Sequence, residues 1–346
     1  IPGELQPASL RRHRWNHSPL TSEKLEKVLD EVVVTCEENG YPFARIRLDS
    51  IREEANGINA VLNLDRGKYC LIDSVRLNGK NVVAPVYLYH YIGIQPGDPY
   101  DESLVRKADV RLRELAFVTV ARPTSILFTP NYNRLDLFIE PRKASQFDGV
   151  IGLLPNADGQ GSTKLTGEAH LKLQNSFKRG EIVEFNWRQM PPQSQDLKIR
   201  LLYPFLFNSP LGIDGGLQLY KRDTQYVDIT KILGIMLTGT GADYLKIFVN
   251  NKQSNLQSTA GLENVTTLPP FADITVTGYG IDAHREELDY RINPSRGFDL
   301  TLAAQAGNRI IRKNAGINPA VYEGLTLNST QYQGVFLGKT YVPLRG

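Results

Sequence analysis

The chain has 346 residues, 41% of them apolar and 22% charged, which suffices for two or three domains and a substantial core. Its formal charge of +3 is too small to mark nucleic acid as a partner. No stretch approaches the roughly 18 consecutive apolar residues of a spanning helix, which excludes helical membrane spans but not a barrel of alternating strands.

The sequence starts at Ile1 with neither Met nor a signal-peptide pattern, so it reads as a processed protein or an excised piece. Residues 1–20 carry Arg11, Arg12, His13, Arg14 and Trp15 without periodicity and read as a solvated lead-in rather than a contact site for an acidic partner. Ser22 to Asn39 is the clearest helix, because Leu25, Val28, Leu29, Val32, Val33 and Cys36 recur at helical spacing. Thr21 or Ser22 can cap its start, and Gly40 stands where a left-handed residue ends a helix. An extended segment through Ala44, Ile46 and Leu48 follows, then a turn at Asn56-Gly57 and a strand from Ile58 to Leu64. Cys36 and Cys70, the two cysteines, fit no zinc or disulfide framework; an oxidising compartment would permit a bridge between them, but they read as two buried free thiols.

The pattern then repeats with a longer front. Cys70 to Leu77 is a predicted strand and Val82 to Ile92 a short helix with Pro85 in its first turn. Asp101 to Leu115 is a second helix, and Val118 to Phe128 and Arg134 to Ile139 are strands. The order is β-α-α-β-β, and residues 21–67 repeat its last three elements. From Gln146 onward the sequence predicts strands alone, about ten of them. The most regular stretch is Asp196 to Arg222, read as two strands joined at Asn208-Ser209-Pro210. Leu197, Ile199, Leu201, Tyr203, Phe205 and Phe207 fall on one face, with Lys198 and Arg200 on the other. Links such as Lys178-Arg179-Gly180 are short and others, such as Asn250 to Phe271, long, which suits a barrel with tight turns at one rim and loops at the other.

Alternation alone does not separate lipid from a protein core. Strand length, aromatics near strand ends (Trp187, Tyr203, Phe205, Phe207, Tyr244) and charged opposite faces favour lipid. A catalytic constellation is not found. His13, His17, His90, His170 and His284 lack metal-ligand spacing, Asp158-Gly159-Gln160-Gly161 reads as a turn, and His284-Arg285-Glu286-Glu287 as a solvated strand end. The expectation is therefore no enzyme, no catalytic or metal residues and no cofactor.

Asn39-Gly40-Tyr41 with Ala44-Arg45-Ile46, and Asp65 to Tyr69 leading into Ile72 to Gly79, resemble the junction of two POTRA domains. Ile94 to Tyr100 is similar to the loop before a POTRA second helix. Leu202-Tyr203-Pro204-Phe205 and Asn293 to Phe298 resemble strand starts of the BamA/TamA insertase superfamily of outer-membrane proteins. The resemblance implies α+β POTRA domains followed by an antiparallel transmembrane β-barrel: a lead-in at 1–20, a partial POTRA domain at 21–67, a complete one at 68–142, and the N-terminal part of a barrel at 146–346. Family barrels carry more strands and a late lumen loop, so the sequence is expected to stop inside the barrel. Arg296-Gly297-Phe298 reads as a turn entering a strand and not as that loop.

The implied work is insertion or translocation of β-barrel proteins at the Gram-negative outer membrane, with the POTRA domains in the periplasm. The implied partners are unfolded outer-membrane protein clients, accessory periplasmic proteins or lipoproteins, and outer-membrane lipids, without nucleic acid. Client strands would add to the POTRA edge at Val118, Val120, Ile126 and Phe128, or at Ala44 to Leu48. They would exchange with a weak first barrel strand at Phe147, Gly149, Ile151, Gly152 and Leu153, which Pro155 ends. A passive pore or two-partner-type secretion transporter is the alternative reading, and a soluble β-rich binding module a further one.

Overall fold

The computed structural model describes residues 21–54, 57–154, 164–191, 193–291 and 293–343. The basic lead-in, Asn56, Pro155 and the Asp158–Gly161 turn lie outside the described residues. The chain divides into two compact units. One holds the residues up to Lys80 with Ile92–Arg113 and Val118–Glu140; the other holds Asn81–Tyr91, Glu114–Phe117 and the chain from Pro141 on.

In the first unit, helix α1 (Ser22–Glu37) starts at Thr21, whose hydroxyl accepts the Lys24 amide, and buries Val28, Val32 and Cys36. Gly40 ends it at φ +90, where a Cβ would lie 2.2 Å from the Tyr69 ring. Only glycine fits this close approach. Its N–H donates to Tyr100 O and its carbonyl accepts from Cys70 N, so the helix end is stitched to the next module. Tyr41 packs edge-on to Tyr69, and Phe128 takes both Phe43 and Tyr100.

Strands β1 (Arg45–Glu54) and β2 (Gly57–Asp65) form an antiparallel hairpin, with the register shifted between Asp49 and Arg52. Strand β3 is Ser74–Asn78, shorter than the Cys70–Leu77 expected, because Leu71 leaves the ladder to bridge Pro99. Next in the chain come α2 (Pro85–Ile92), α3 (Glu102–Glu114), β4 (Val118–Phe128) and β5 (Asn133–Pro141). The sheet order is β3-β5-β4, with β3 parallel to β5. Asp136 on β5 receives Arg76, Asn78 and Arg134. Burial alone would raise its carboxyl, but these donors outweigh it and hold the group below the ordinary carboxylate range.

The second unit is dominated by one antiparallel sheet of ten strands in chain order: β6 (Gln146–Leu154), β7 (Lys164–Gln174), β8 (Ile182–Met190), β9 (Ser194–Tyr203), β10 (Leu211–Arg222), β11 (Tyr226–Thr238), β12 (Tyr244–Leu256), β13 (Ile274–Leu288), β14 (Gly297–Ile311) and β15 (Asn328–Tyr341). β6 and β15 are its two ends and, among the described residues, do not pair with one another, so the sheet they form is open. Strands lengthen across it, from 9 residues in β6 to 15 in β13 and β14. No helix among the described residues is long and apolar enough to cross a membrane, which says nothing of these strands.

Two expectations are corrected here. The link expected from Asn250 to Phe271 is shorter, because β12 runs on to Leu256 and leaves residues 257–273. The division into a tight rim and a looped rim is also too simple. Residues 257–273 and 312–327 share their rim with the two tightest turns, 191–193 and 223–225, while the other rim carries 175–181, 204–210, 239–243 and 289–296. The two long loops are folded together. Ala272, Ile274, Ile311, Ile317, Val321 and Tyr322 form a small core. Asp273 ties it down by accepting Leu256 N and Asn314 Nδ2 on its carboxylate and Arg312 N on its carbonyl.

Candidate functional site

Register places every second side chain of the large sheet on one apolar face. Leu237 of β11 faces Leu245, which faces Ala283, Leu302 and Phe336 in turn. The next row runs Ile235, Ile247, Ile281, Ala304 and Gly334. Leu197, Ile199 and Leu201 continue the face on β9, paired to Trp187, Phe185 and Val183. Large hydrophobics on this face are widely exposed, among them Ile199, Leu201, Ile235, Leu245, Ile247, Leu302 and Phe336. Rows of this kind on β8 and β9 and across β11 to β15 are the pattern of a lipid-facing wall.

The opposite face is charged and paired. Lys172 meets Glu184, Arg188 meets Glu168, and Arg200 meets Asp214 at 3.3 Å. Lys246 of β12 bridges Asp214 of β10 at 3.1 Å and Asp282 of β13 at 3.0 Å. It reaches Asp214 across the intervening β11, passing close to Gly234, where a Cβ would lie 3.0 Å from Lys246 Cδ. The side chain of Tyr244 also belongs to this face, with its hydroxyl toward Asp282 and its ring stacked on His284, so it does not join the expected aromatic rim of the apolar face. His284 sits against Thr301, with Glu286 and Asp299 nearby, and is half-buried rather than a solvated strand end.

Among the described residues the first strand, β6, pairs only with β7. Phe147 and Ile151 are 76% and 78% exposed, and Leu153 is exposed as well. The two strands approach closely. A Cβ at Gly149 would lie 3.1 Å from Glu168 O, one at Gly152 2.8 Å from Thr166 Oγ1, and one at Gly167 2.5 Å from Val150 O. Phe147, Gly149, Ile151 and Leu153 thus share a face, while Gly152 lies on the other, opposite Thr166.

In the first unit, Val118 of β4 is fully buried and Phe128 packs on Phe43 and Tyr100. β4 is an end strand of its sheet, but Pro123 has no N–H and the Thr124 N–H is already taken by Asp109 of α3 at 2.9 Å. Strand addition is therefore interrupted at mid-strand, which the sequence pattern did not reveal.

Phe205 and Phe207 depart from the expected row, because β9 ends at Tyr203 and residues 204–210 form a turn. Phe205 is left-handed at φ 53 and buried, stacked on His90 and edge-on to Tyr87 of α2. Phe207 is left-handed at φ 52 and stands 96% exposed. The physical reason is Pro204, which closes the ladder of β9 and starts the turn. Two neighbouring turns hold α2 as well: Ala84 N donates to Lys178 O, Asn175 Nδ2 to Val82 O, and Gly241 N to Tyr91 O. Gly180 at φ +72 leaves the space that the Tyr87 ring fills. Burial pushes the Tyr87 hydroxyl well up. Beside this contact lies a cavity of about 290 Å³ reached by Tyr91, Arg200, Asp214, Lys246 and Arg291. The signal that could have revealed it was the run of aromatic residues in α2, which reads from sequence only as an apolar helix. Among the described residues no group of three His, Cys, Asp or Glu side chains is placed to hold a metal ion.

No protein-family model and no curated protein matches the chain. Among solved structures it is similar to BamA from Haemophilus ducreyi lacking POTRA domains 1–3, with 14% identity and a TM-score of 0.50 over 93% of this chain and 71% of that one. It is also similar to CdiB from Acinetobacter baumannii, with 12% identity and a TM-score of 0.51 over 87% of this chain and 59% of that one. At these identities the likeness is one of fold. The chain shares the fold of these two proteins.

Proposed function

We propose that the chain forms part of a bacterial outer-membrane barrel protein that inserts or translocates other polypeptides, without catalysis or cofactor. The observation that carries this reading is the broad, exposed apolar face of the ten-stranded sheet, backed by a charged and paired opposite face. Residues 21–67 and 68–142 are read as a partial and a complete POTRA domain in the periplasm, and the chain from 146 on as barrel wall. The edge of β4 at Val118, Val120, Ile126 and Phe128 would meet clients on either side of its blocked centre. Accessory periplasmic proteins or lipoproteins would act on the same unit.

The insertion reading rests on β6. It is paired on one side, exposed on both faces and thinned by Gly149 and Gly152, so its ladder can be exchanged for a client strand at low cost. The fold likeness to CdiB favours a second reading, a two-partner-type transporter whose cargo passes along the charged face. Site-specific photocrosslinking in the full-length protein separates them. Insertion predicts that probes at Gly149 and Ile151 capture nascent barrel proteins while probes at Lys198 and Arg188 do not. The reverse pattern, with a secreted polypeptide captured on the charged face, would establish transport.

A further inference from the structure

Two neighbouring turns of the rim that holds α2 each present a phenylalanine to solvent. Phe177 in residues 175–181 is 71% exposed and Phe207 in residues 204–210 is 96% exposed. Arg179 Nη1 donates to Asn208 Oδ1 at 3.4 Å and links the turns. The first is held by a carboxylate that is itself buried. Glu181, 1% exposed, accepts Phe177 N and Arg179 N on its two side-chain oxygens, and its carbonyl accepts Asn175 N. In the second, Ser209 Oγ donates to Leu206 O and accepts Leu211 N.

Five non-glycine residues here, Asn175, Lys178, Phe205, Phe207 and Asn208, adopt left-handed φ. Left-handed φ in a phenylalanine costs free energy and persists only where the surroundings over-determine it. At residue 205 the return is a packed ring under α2. At residue 207 the large apolar ring is left in the open, 96% exposed. Lys178 and Arg179, both exposed, form no ion pair among the described residues. The turns border the apolar face directly, since Tyr203 and Leu211 flank one and Leu173 and Val183 the other.

We propose that Phe177 and Phe207, with Lys178 and Arg179, are an interfacial anchor for an anionic phospholipid surface. The two rings enter at headgroup depth and the two cations take phosphate oxygens. The proposal rests on the membrane reading given above and deepens it by fixing which rim touches the headgroups and through which side chains. The anchor would hold at the lipid boundary the same turns that grip α2.

The test uses the full chain in lipid vesicles, in a background with Trp15 and Trp187 replaced by Phe. Single tryptophans are introduced by Phe177→Trp, Phe207→Trp and Ile199→Trp, and quenched by lipids brominated at shallow or deep acyl positions. All three should be quenched, residues 177 and 207 best by shallow labels and residue 199 by deeper ones. Brominated phosphatidylglycerol should enrich around residue 177 over brominated phosphatidylcholine, and Lys178→Gln with Arg179→Gln should remove the enrichment, roughly five-fold for each cation. Quenching at residue 199 alone, with 177 and 207 open to aqueous iodide, overturns the anchor and leaves the membrane reading standing. Absence of quenching at all three sites overturns both. Equal quenching by the two headgroups overturns the role of the cations.

Discussion

The two ends of the large sheet are built differently from the same alternating pattern. At the β6 end the strands have 9 to 11 residues, and β6, like β15 at the other end, is held along one side. Toward the other end β13 and β14 run to 15 residues and are paired along their length. The loops there, 257–273 and 312–327, share a core around Ile317 and Tyr322, so the extra strand length has something to pack on. Alternation specifies which face is buried; what lies beyond the rim decides how far a strand continues.

The largest effect is expected where that loop core is emptied. Ile317 is 2% exposed, and Ile317→Ala should cost about 2–5 kcal/mol from lost burial and the cavity left behind. Hydrogen exchange should then accelerate at the loop-side ends of β12 to β14 and leave β7 to β9 unchanged. Equal loosening at both ends would break the comparison. A slightly smaller effect tests the face common to both ends. Ile199→Arg places charge on the apolar side and should reduce folding into vesicles by about 2–4 kcal/mol if it lies near mid-membrane, whereas Arg200→Ile, whose partner Asp214 keeps Lys246, should be far milder. Matched losses, read as the folded fraction resisting protease, would remove the lipid assignment.

The smallest expected effect lies outside the sheet and serves as its control. Asp136 is held below its ordinary range, so its stabilising contribution is complete above the unfolded carboxylate pKa near 4 and is lost as pH falls through the lower native value. Acid titration should therefore loosen the β3-β5-β4 sheet, and Arg134→Met should move that loosening to higher pH. Exchange rates at both ends of the ten-stranded sheet should not follow either change.

Much of this fold was legible in the sequence. Helical spacing located α1 and α3, alternation located the pair β9 and β10, and β4 was read at its observed limits, Val118–Phe128, while β15 was not placed. Legibility failed where partners distant in sequence decide. The loop core joins residues 256–276 to 311–327, and neither segment has a period. Phe205 matched the alternation of β9, and only its contact with α2 shows why the backbone turns there instead. In β6, Gly149 and Gly152 were visible in the sequence, but the close approach of Gly167 from the facing strand was not.

The glycine at position 234 makes four distant positions a single unit of inheritance. A Cβ there presses on Lys246 Cδ at 3.0 Å, so a bulky side chain would crowd the lysine on its way to Asp214; losing Lys246 sets Asp214 and Asp282 without their shared cation. Positions 214, 234, 246 and 282 should therefore drift together through related sequences. A charge-free set with a bulkier residue at 234 would be a permitted alternative, and mixtures of the two sets the combinations that evolution avoids.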